Sequence, residues 1–188
     1  MKSQSEFMAS IIGALDNGSI PYMICGSIGS SFHGEPRSTN DIDIVVNPTE
    51  QQLIELVRQL GREYYVSETA ASQAFRSRSM FNVIDSSSGW KVDLIIRKDR
   101  PYSRAEFDRR IQANVLSLSV SMTAAEDVVL TKLEWGKLSE SERHFRDAVG
   151  VLIVQKDQID TPYLRHWAAE LGVGDFLERA LRASGIDI

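Results

Sequence analysis

Soft metal ligands are scarce in this chain. Its one cysteine, Cys25, excludes an intrachain disulfide and a cysteine-based zinc cluster, and its three histidines, His33, His144 and His166, lack metal-ligand spacing. Any metal must therefore be held by oxygen. Positive charge is also in deficit: 21 Lys and Arg against 26 Asp and Glu give a net charge of −5, so a polyanion site must be local rather than a basic coat. Long apolar runs are missing too. The run Val151-Leu152-Ile153-Val154 is far shorter than the roughly 20 residues that cross a bilayer. The opening Met1-Lys2-Ser3-Gln4-Ser5-Glu6 has no secretory pattern, so the expected location is cytoplasmic, without membrane contact. There are no repeats, no low-complexity tract and no Pro/Gly-rich linker. With 188 residues, 43% hydrophobic and 25% charged, the composition is that of a globular protein: one domain, or a small domain with an appendage.

Hydrophobic periodicity predicts an α/β (α+β) beginning and a helical end. Phe7, Met8, Ile11, Ile12 and Leu15 mark a helix over about residues 4–16 that stops at Asn17-Gly18. A short buried strand over 20–25, a turn at Gly26-Ser27 and a short helix to His33 follow, then a strand over 42–46 and a helix carrying Leu53 to Leu60. Residues 81–85 and 90–96 read as an antiparallel hairpin across Ser86-Ser87-Ser88-Gly89, so the sheet is expected to be small and mixed, flanked by helices. From Thr123 the pattern turns helical. Thr123-x-x-Glu126 and Ser139-x-x-Glu142 fit capping boxes, Thr161-Pro162 fits an N-cap followed by proline at the first helical position, and a last helix spans about 175–183. The expected division is a core over 1–122 and a helical C-terminal region over 123–188 that packs on it.

The chemistry concentrates in Met23-Ile24-Cys25-Gly26-Ser27 and, after thirteen intervening residues, Asp41-Ile42-Asp43-Ile44. Side chains alternate along a strand, so Asp41 and Asp43 share one face while Ile42, Ile44 and Val46 share the other. Two ionised carboxylates about 5 Å apart repel by roughly 3 kcal/mol at an effective dielectric near 20. A shared proton relieves this, and so does a hard divalent cation; Mg²⁺ suits carboxylates combined with phosphates. Asp93 adds a third carboxylate, alternating with Val92, Leu94 and Ile96 in a second apolar strand. Three acids converging at one sheet end can hold two cations. Gly26-Ser27 supplies the complement: no Cβ to obstruct a phosphate, a hydroxyl donor, and the amides that open a helix. The Asp-x-acid pair alone is uninformative, with about two expected by chance, but its apolar spacing and the upstream Gly-Ser lower that to about 0.03.

This pattern resembles the nucleotidyltransferase superfamily of the DNA polymerase β type: a hydrophobic residue with Gly-Gly or Gly-Ser, then Asp-hydrophobic-Asp-hydrophobic, then a third acid in a later strand. Within it, Gly26-Ser27, His33-Gly34, Arg37, Thr39 and Asp41-Ile42-Asp43 are most similar to bacterial minimal transferases related to AbiEii-type toxins. The resemblance is strongest over residues 20–96 and continues more weakly through Ala125–Leu133 and Arg143–Asp147. It implies the nucleotidyltransferase fold and transfer of a nucleoside monophosphate from a nucleoside triphosphate to a hydroxyl, with two Mg²⁺ or Mn²⁺ ions. Asp41, Asp43 and Asp93 would then be the catalytic, metal-ligating acids. Gly26, Ser27, Arg37, Lys132 and Asp147 would bind nucleotide, Lys132 through phosphates and Asp147 by positioning it. The implied partners are the triphosphate, an RNA (tRNA) or protein acceptor and an antitoxin-like protein.

Two rivals stay open on the sequence: modification of a small, aminoglycoside-like molecule, and a non-catalytic nucleotide-binding or regulatory module on the same fold. Arg97, Lys98, Arg100, Arg104, Arg109 and Arg110, placed just after the Asp93 strand, form a basic stretch that could steer a polyanionic acceptor. Thr39 reads as a brace for its loop. Cys25 and the histidines are read as packing or surface residues, and Trp90, Trp135 and Trp167 as anchors.

Overall fold

Alternation along two neighbouring strands sets the centre of the fold. The computed structural model describes residues 2–139 and 141–186. In chain order it runs α1 (Gln4–Asn17), β1 (Tyr22–Ile24), α2 (Gly26–His33), β2 (Asp41–Val46), α3 (Glu50–Leu60), β3 (Tyr65–Val66), α4 (Glu68–Ser77) and β4 (Met80–Ile84). It continues through β5 (Lys91–Ile96), α5 (Pro101–Asp108), β6 (Ile111–Val115), β7 (Leu118–Met122), α6 (Ala125–Ser139), α7 (Glu142–Gln155), α8 (Thr161–Glu170) and α9 (Gly174–Ala183). The strands form one mixed sheet in the order β3-β4-β5-β2-β1-β7-β6. The central pair, β2 and β5, is parallel, whereas β4 with β5 and β1 with β2 are antiparallel. Ile42, Ile44 and Val46 of β2 and Val92, Leu94 and Ile96 of β5 are wholly buried, as are Phe7, Met8, Ile11 and Leu15 of α1. Each such side chain contributes about 1.5–3 kcal/mol relative to exposure.

The chain divides into two compact units. The first takes residues up to Ser27 and Thr39–Met122, and so holds the whole sheet; the second takes Ile28–Ser38 with the chain from Thr123 onward. Ile28–Ser38, expected from sequence within the first part, is thus grouped with the helices α6 to α9. The contacts explain why. His33 Nε2 lies 2.8 Å from the Thr123 carbonyl, and Gln155 Nε2 donates to the His33 carbonyl at 2.9 Å. At Gly34 an added Cβ would sit 2.8 Å from the Val151 backbone nitrogen and 3.0 Å from the Gly150 carbonyl carbon, so only glycine allows this approach.

Several elements carry no sequence signal of the expected kind. Helix α4 buries only Ala71 and Ala74, which make no apolar stripe. The hairpin of β6 and β7 turns through Leu116 and Ser117 at φ +50 and +68, where Gly or Asn is the usual marker. The capping boxes also differ from expectation. Thr123 Oγ1 is buried without a hydrogen-bond partner, while Glu126 accepts instead from the Asp160 amide at 3.0 Å. Ser139 ends α6 and its hydroxyl donates back to the Trp135 carbonyl at 2.7 Å, so it caps nothing that follows. Asp160, not Thr161, caps α8, accepting from the Tyr163 amide at 2.9 Å. True capping boxes form at α1, with Ser3 and Glu6, and at α3, with Thr49 and Gln52.

Candidate active site

The first unit gathers the glycine and the acids. Gly26 follows β1 and opens α2 at φ +61, a conformation that costs a Cβ-bearing residue about 1–2 kcal/mol. Space forbids one as well. A Cβ there would run into the Asp43 carboxylate, lying 2.6 Å from its Cγ and 2.8 Å from its Cβ. The Cys25 amide donates to the Asp43 carbonyl at 2.9 Å, which locks the two segments together. Gly26 therefore brings the start of α2, with Ser27, directly onto Asp43.

Parallel pairing of β2 with β5 sets Asp43 opposite Asp93 and Asp41 opposite Lys91. Strand spacing of about 4.8 Å makes each pair close neighbours, and alternation puts all four side chains on one face. Exposure grades across the group: the side chain of Asp41 is 57% exposed, that of Lys91 34% and that of Asp93 10%. Lys91 Nζ stands 3.3 Å from Asp41 Oδ1 and 3.3 Å from Asp93 Oδ2. Burial alone would lower the Lys91 ammonium, but its hydrogen bonds and charge pairing with Asp93, then Asp41, outweigh this and hold it above the usual lysine value. Asp93 also accepts from Asn82 Nδ2, its register partner on β4.

The register brings the three expected acids, Asp41, Asp43 and Asp93, to one face of the β2–β5 pair. Among the described residues no group of three or more His, Cys, Asp or Glu side chains is drawn together tightly enough to enclose an ion. The ammonium of Lys91 holds the ground between Asp41 and Asp93 instead. The donor chemistry nonetheless fits a hard divalent cation: carboxylate oxygens on one face, with a cation already seated against two of them. Lys91 and Asn82 were both missed from sequence. Lys91 was legible, since it precedes Asp93 by two residues and must share its face; Asn82 needed the hairpin register.

The second unit holds a cluster of opposite balance. Arg37 Nε and Nη2 donate to Asp147 Oδ1 and Oδ2 at 3.2 and 3.0 Å, and Lys132 Nζ donates to Asp147 Oδ2 at 2.6 Å. The structure thus brings Arg37, Lys132 and Asp147 together, on α6, α7 and the segment after α2. The Lys132 side chain is only 6% exposed. Burial pushes the Asp147 carboxyl up, but hydrogen bonds from Arg37 and Lys132 and their charges outweigh that and hold it below the usual carboxylate range. Nearby, His144 is pushed down by burial and then by Lys132, with Asp147 opposing, and its Nδ1 is buried without a partner. Two cations share one carboxylate here.

The basic stretch does not continue the acid cluster. It begins past the end of β5 remote from Lys91, with Arg97 about 13 Å along the strand from Asp93. Part of it is engaged locally: Arg104 pairs with Asp99 at 2.6 Å, and Arg97 and Arg110 lie over the Phe107 ring at 6.0 and 4.4 Å. Among the described residues no helix is long and apolar enough to cross a membrane.

No protein-family model matches the chain, and no curated protein matches its sequence. Solved structures do share its fold. The antibiotic-resistance factor ANT(2'')-Ia aligns at 12% identity with a TM-score of 0.58, covering 92% of this chain and 95% of that one. An antigenic nucleotidyltransferase-like protein from Paracoccidioides brasiliensis aligns at 15% identity and TM-score 0.56, covering 94% and 91% respectively. The lincosamide antibiotic adenylyltransferase LnuA, solved bound to lincomycin, aligns at 13% identity and TM-score 0.55, over 79% of this chain and 96% of that one. With its mixed sheet, its flanking helices and these likenesses, the chain has the nucleotidyltransferase fold.

Proposed function

We propose that the chain is a metal-dependent nucleotidyltransferase that moves a nucleoside monophosphate from a nucleoside triphosphate to a hydroxyl acceptor. The observation that carries this reading is the register of β2 and β5, which sets Asp43 beside Asp93 and Asp41 on the same face, next to a Gly26 that admits no side chain. A cluster of like charges is costly to keep for packing alone. Asp41, Asp43 and Asp93 would hold divalent ions, Mg²⁺ or Mn²⁺, which when bound neutralise the triphosphate and polarise the acceptor hydroxyl. Asp93, the more buried of the two acids that meet Lys91, would receive the acceptor proton. Gly26 and Ser27 present the opening amides of α2 to phosphate oxygens. Lys132, Arg37 and Asp147, which form one hydrogen-bonded cluster in the second unit, are read as nucleotide-binding residues. Positioning and charge neutralisation carry most of such a reaction, so no nucleophilic side chain is required.

The acceptor that a specific observation favours is a small hydroxylated molecule. Two of the structures with this fold, covering 95% and 96% of their own length, belong to an antibiotic-resistance factor and to an adenylyltransferase of lincosamides. An RNA or protein acceptor and an antitoxin-like partner, implied by the toxin resemblance, rank below it. The test is incubation with each α-labelled triphosphate, Mg²⁺ and panels of aminoglycosides, lincosamides, tRNA and cell protein. Pyrophosphate release that D43N abolishes supports transfer, and the labelled product identifies the acceptor. Tight triphosphate binding with no turnover on any panel would overturn transfer in favour of a binding module.

A further inference from the structure

We propose that Lys91 is an internal counter-cation that holds the Asp41 and Asp93 carboxylates in the ion-free protein and competes with a divalent ion for them. This rests on the metal-dependent reading above and deepens it. Its basis is geometric: the Lys91 ammonium is equidistant, at 3.3 Å, from one oxygen of each acid, and those acids lie on different strands. Lys91 is opposite Asp41 in the β2–β5 register and two residues before Asp93 on β5, so the backbone delivers its side chain to this face. A surface lysine serving solubility has no need of such placement. Asn82 secures the other Asp93 oxygen, which leaves Lys91 as the movable member of the set.

The consequence is an exchange of one cation for another. With Lys91 in place, Asp41, Asp43 and Asp93 carry two negative charges in excess rather than three, and their mutual repulsion is reduced. An ion that draws on Asp41 and Asp93 must displace the ammonium, and its apparent affinity is lowered by that cost. Lys91 is a positioning residue in this scheme, acting on the acids rather than on the reacting atoms.

The experiment measures Mn²⁺ binding by electron paramagnetic resonance, without nucleotide, on the wild-type chain and on K91Q, K91R and K91Q/D43N. Circular dichroism verifies that each variant is folded. Expected are Mn²⁺ affinity at least about tenfold higher in K91Q than in wild type, a near-wild-type value in K91R, and loss of the gained ion in K91Q/D43N. A second readout is thermal: in chelator K91Q melts below wild type, and Mn²⁺ restores it more strongly than it shifts wild type. Ion binding by K91Q but not by wild type also supports the inference. Equal or weaker binding in K91Q, with wild type still binding, overturns the role of Lys91 and leaves the proposed transferase intact. Absence of Mn²⁺ from wild type and K91Q alike overturns both.

Discussion

The chain carries two charged clusters built on opposite plans. On the β2–β5 face three carboxylates share one side of the sheet and two of them meet one ammonium, and the group grades from the exposed Asp41 to the nearly buried Asp93. In the helical unit one carboxylate, Asp147, meets two cations, and Lys132 and Asp147 are almost fully enclosed. An open cluster with excess negative charge can exchange its counter-ion with solvent and loses little when one member changes. In a more enclosed cluster the buried pair Lys132–Asp147 has little water to fall back on, so each of the two depends on the other.

Five changes would break or sharpen this contrast. The largest effect is expected from D43N: transfer activity should fall at least about 10³-fold, because several kcal/mol of charge stabilisation are lost, while urea denaturation shows unchanged or raised stability as one repulsion is relieved. A stability loss instead would mean that the open cluster is structural. Next comes D147A, which removes the carboxylate that the buried Lys132 and the part-exposed Arg37 both meet and should lower unfolding free energy by about 3–5 kcal/mol in urea titrations. The same titrations across pH separate this carboxylate from the rest. Its folded value lies below the ordinary 3.8, so its contribution is present above the unfolded value and is lost as pH falls from there through the lower folded value, a limb that D147N should lack.

G34A should cost about 1–3 kcal/mol, since the added methyl meets the backbone of α7 rather than a side chain that can turn away. Thermal melts would show this, and a neutral result would mean that the approach relaxes freely. The smallest effect is expected at His144. Burial and Lys132 keep its folded value below 6.5, so the unfolded chain takes the proton first and stability declines as pH drops through 6.5. H144Q should flatten that decline.

What could be read from sequence was what depends on near neighbours. The alternation that sends Ile42 and Ile44 inward and Asp41 and Asp43 outward is a property of one strand, and the sheet reproduces it. The Asp43–Asp93 pairing followed only as a conditional, because register joins residues fifty apart. Arg37 and Asp147, 110 residues apart, were grouped only by family resemblance; nothing local announces that they meet. The misread capping boxes show the opposite failure. A Ser/Thr-x-x-Glu string is short enough to arise by coincidence, and at Thr123 the glutamate was claimed by a competing amide on Asp160. Alanine-lined α4 and the glycine-free β6–β7 turn escaped because their own residues carry neither an apolar stripe nor the usual turn markers.

The return of Ile28–Ser38 to the company of the helices has a genetic consequence. Neither compact body corresponds to one uninterrupted stretch of codons: a cut after residue 122 yields a piece in which His33 and Gly34 have lost Thr123, Gly150 and Val151. Recombination that swapped the helical body between relatives would therefore need three crossovers rather than one, to carry the eleven-residue excursion along with the tail. Shuffling with a single junction should produce chimaeras that misfold even when the junction falls in exposed loop.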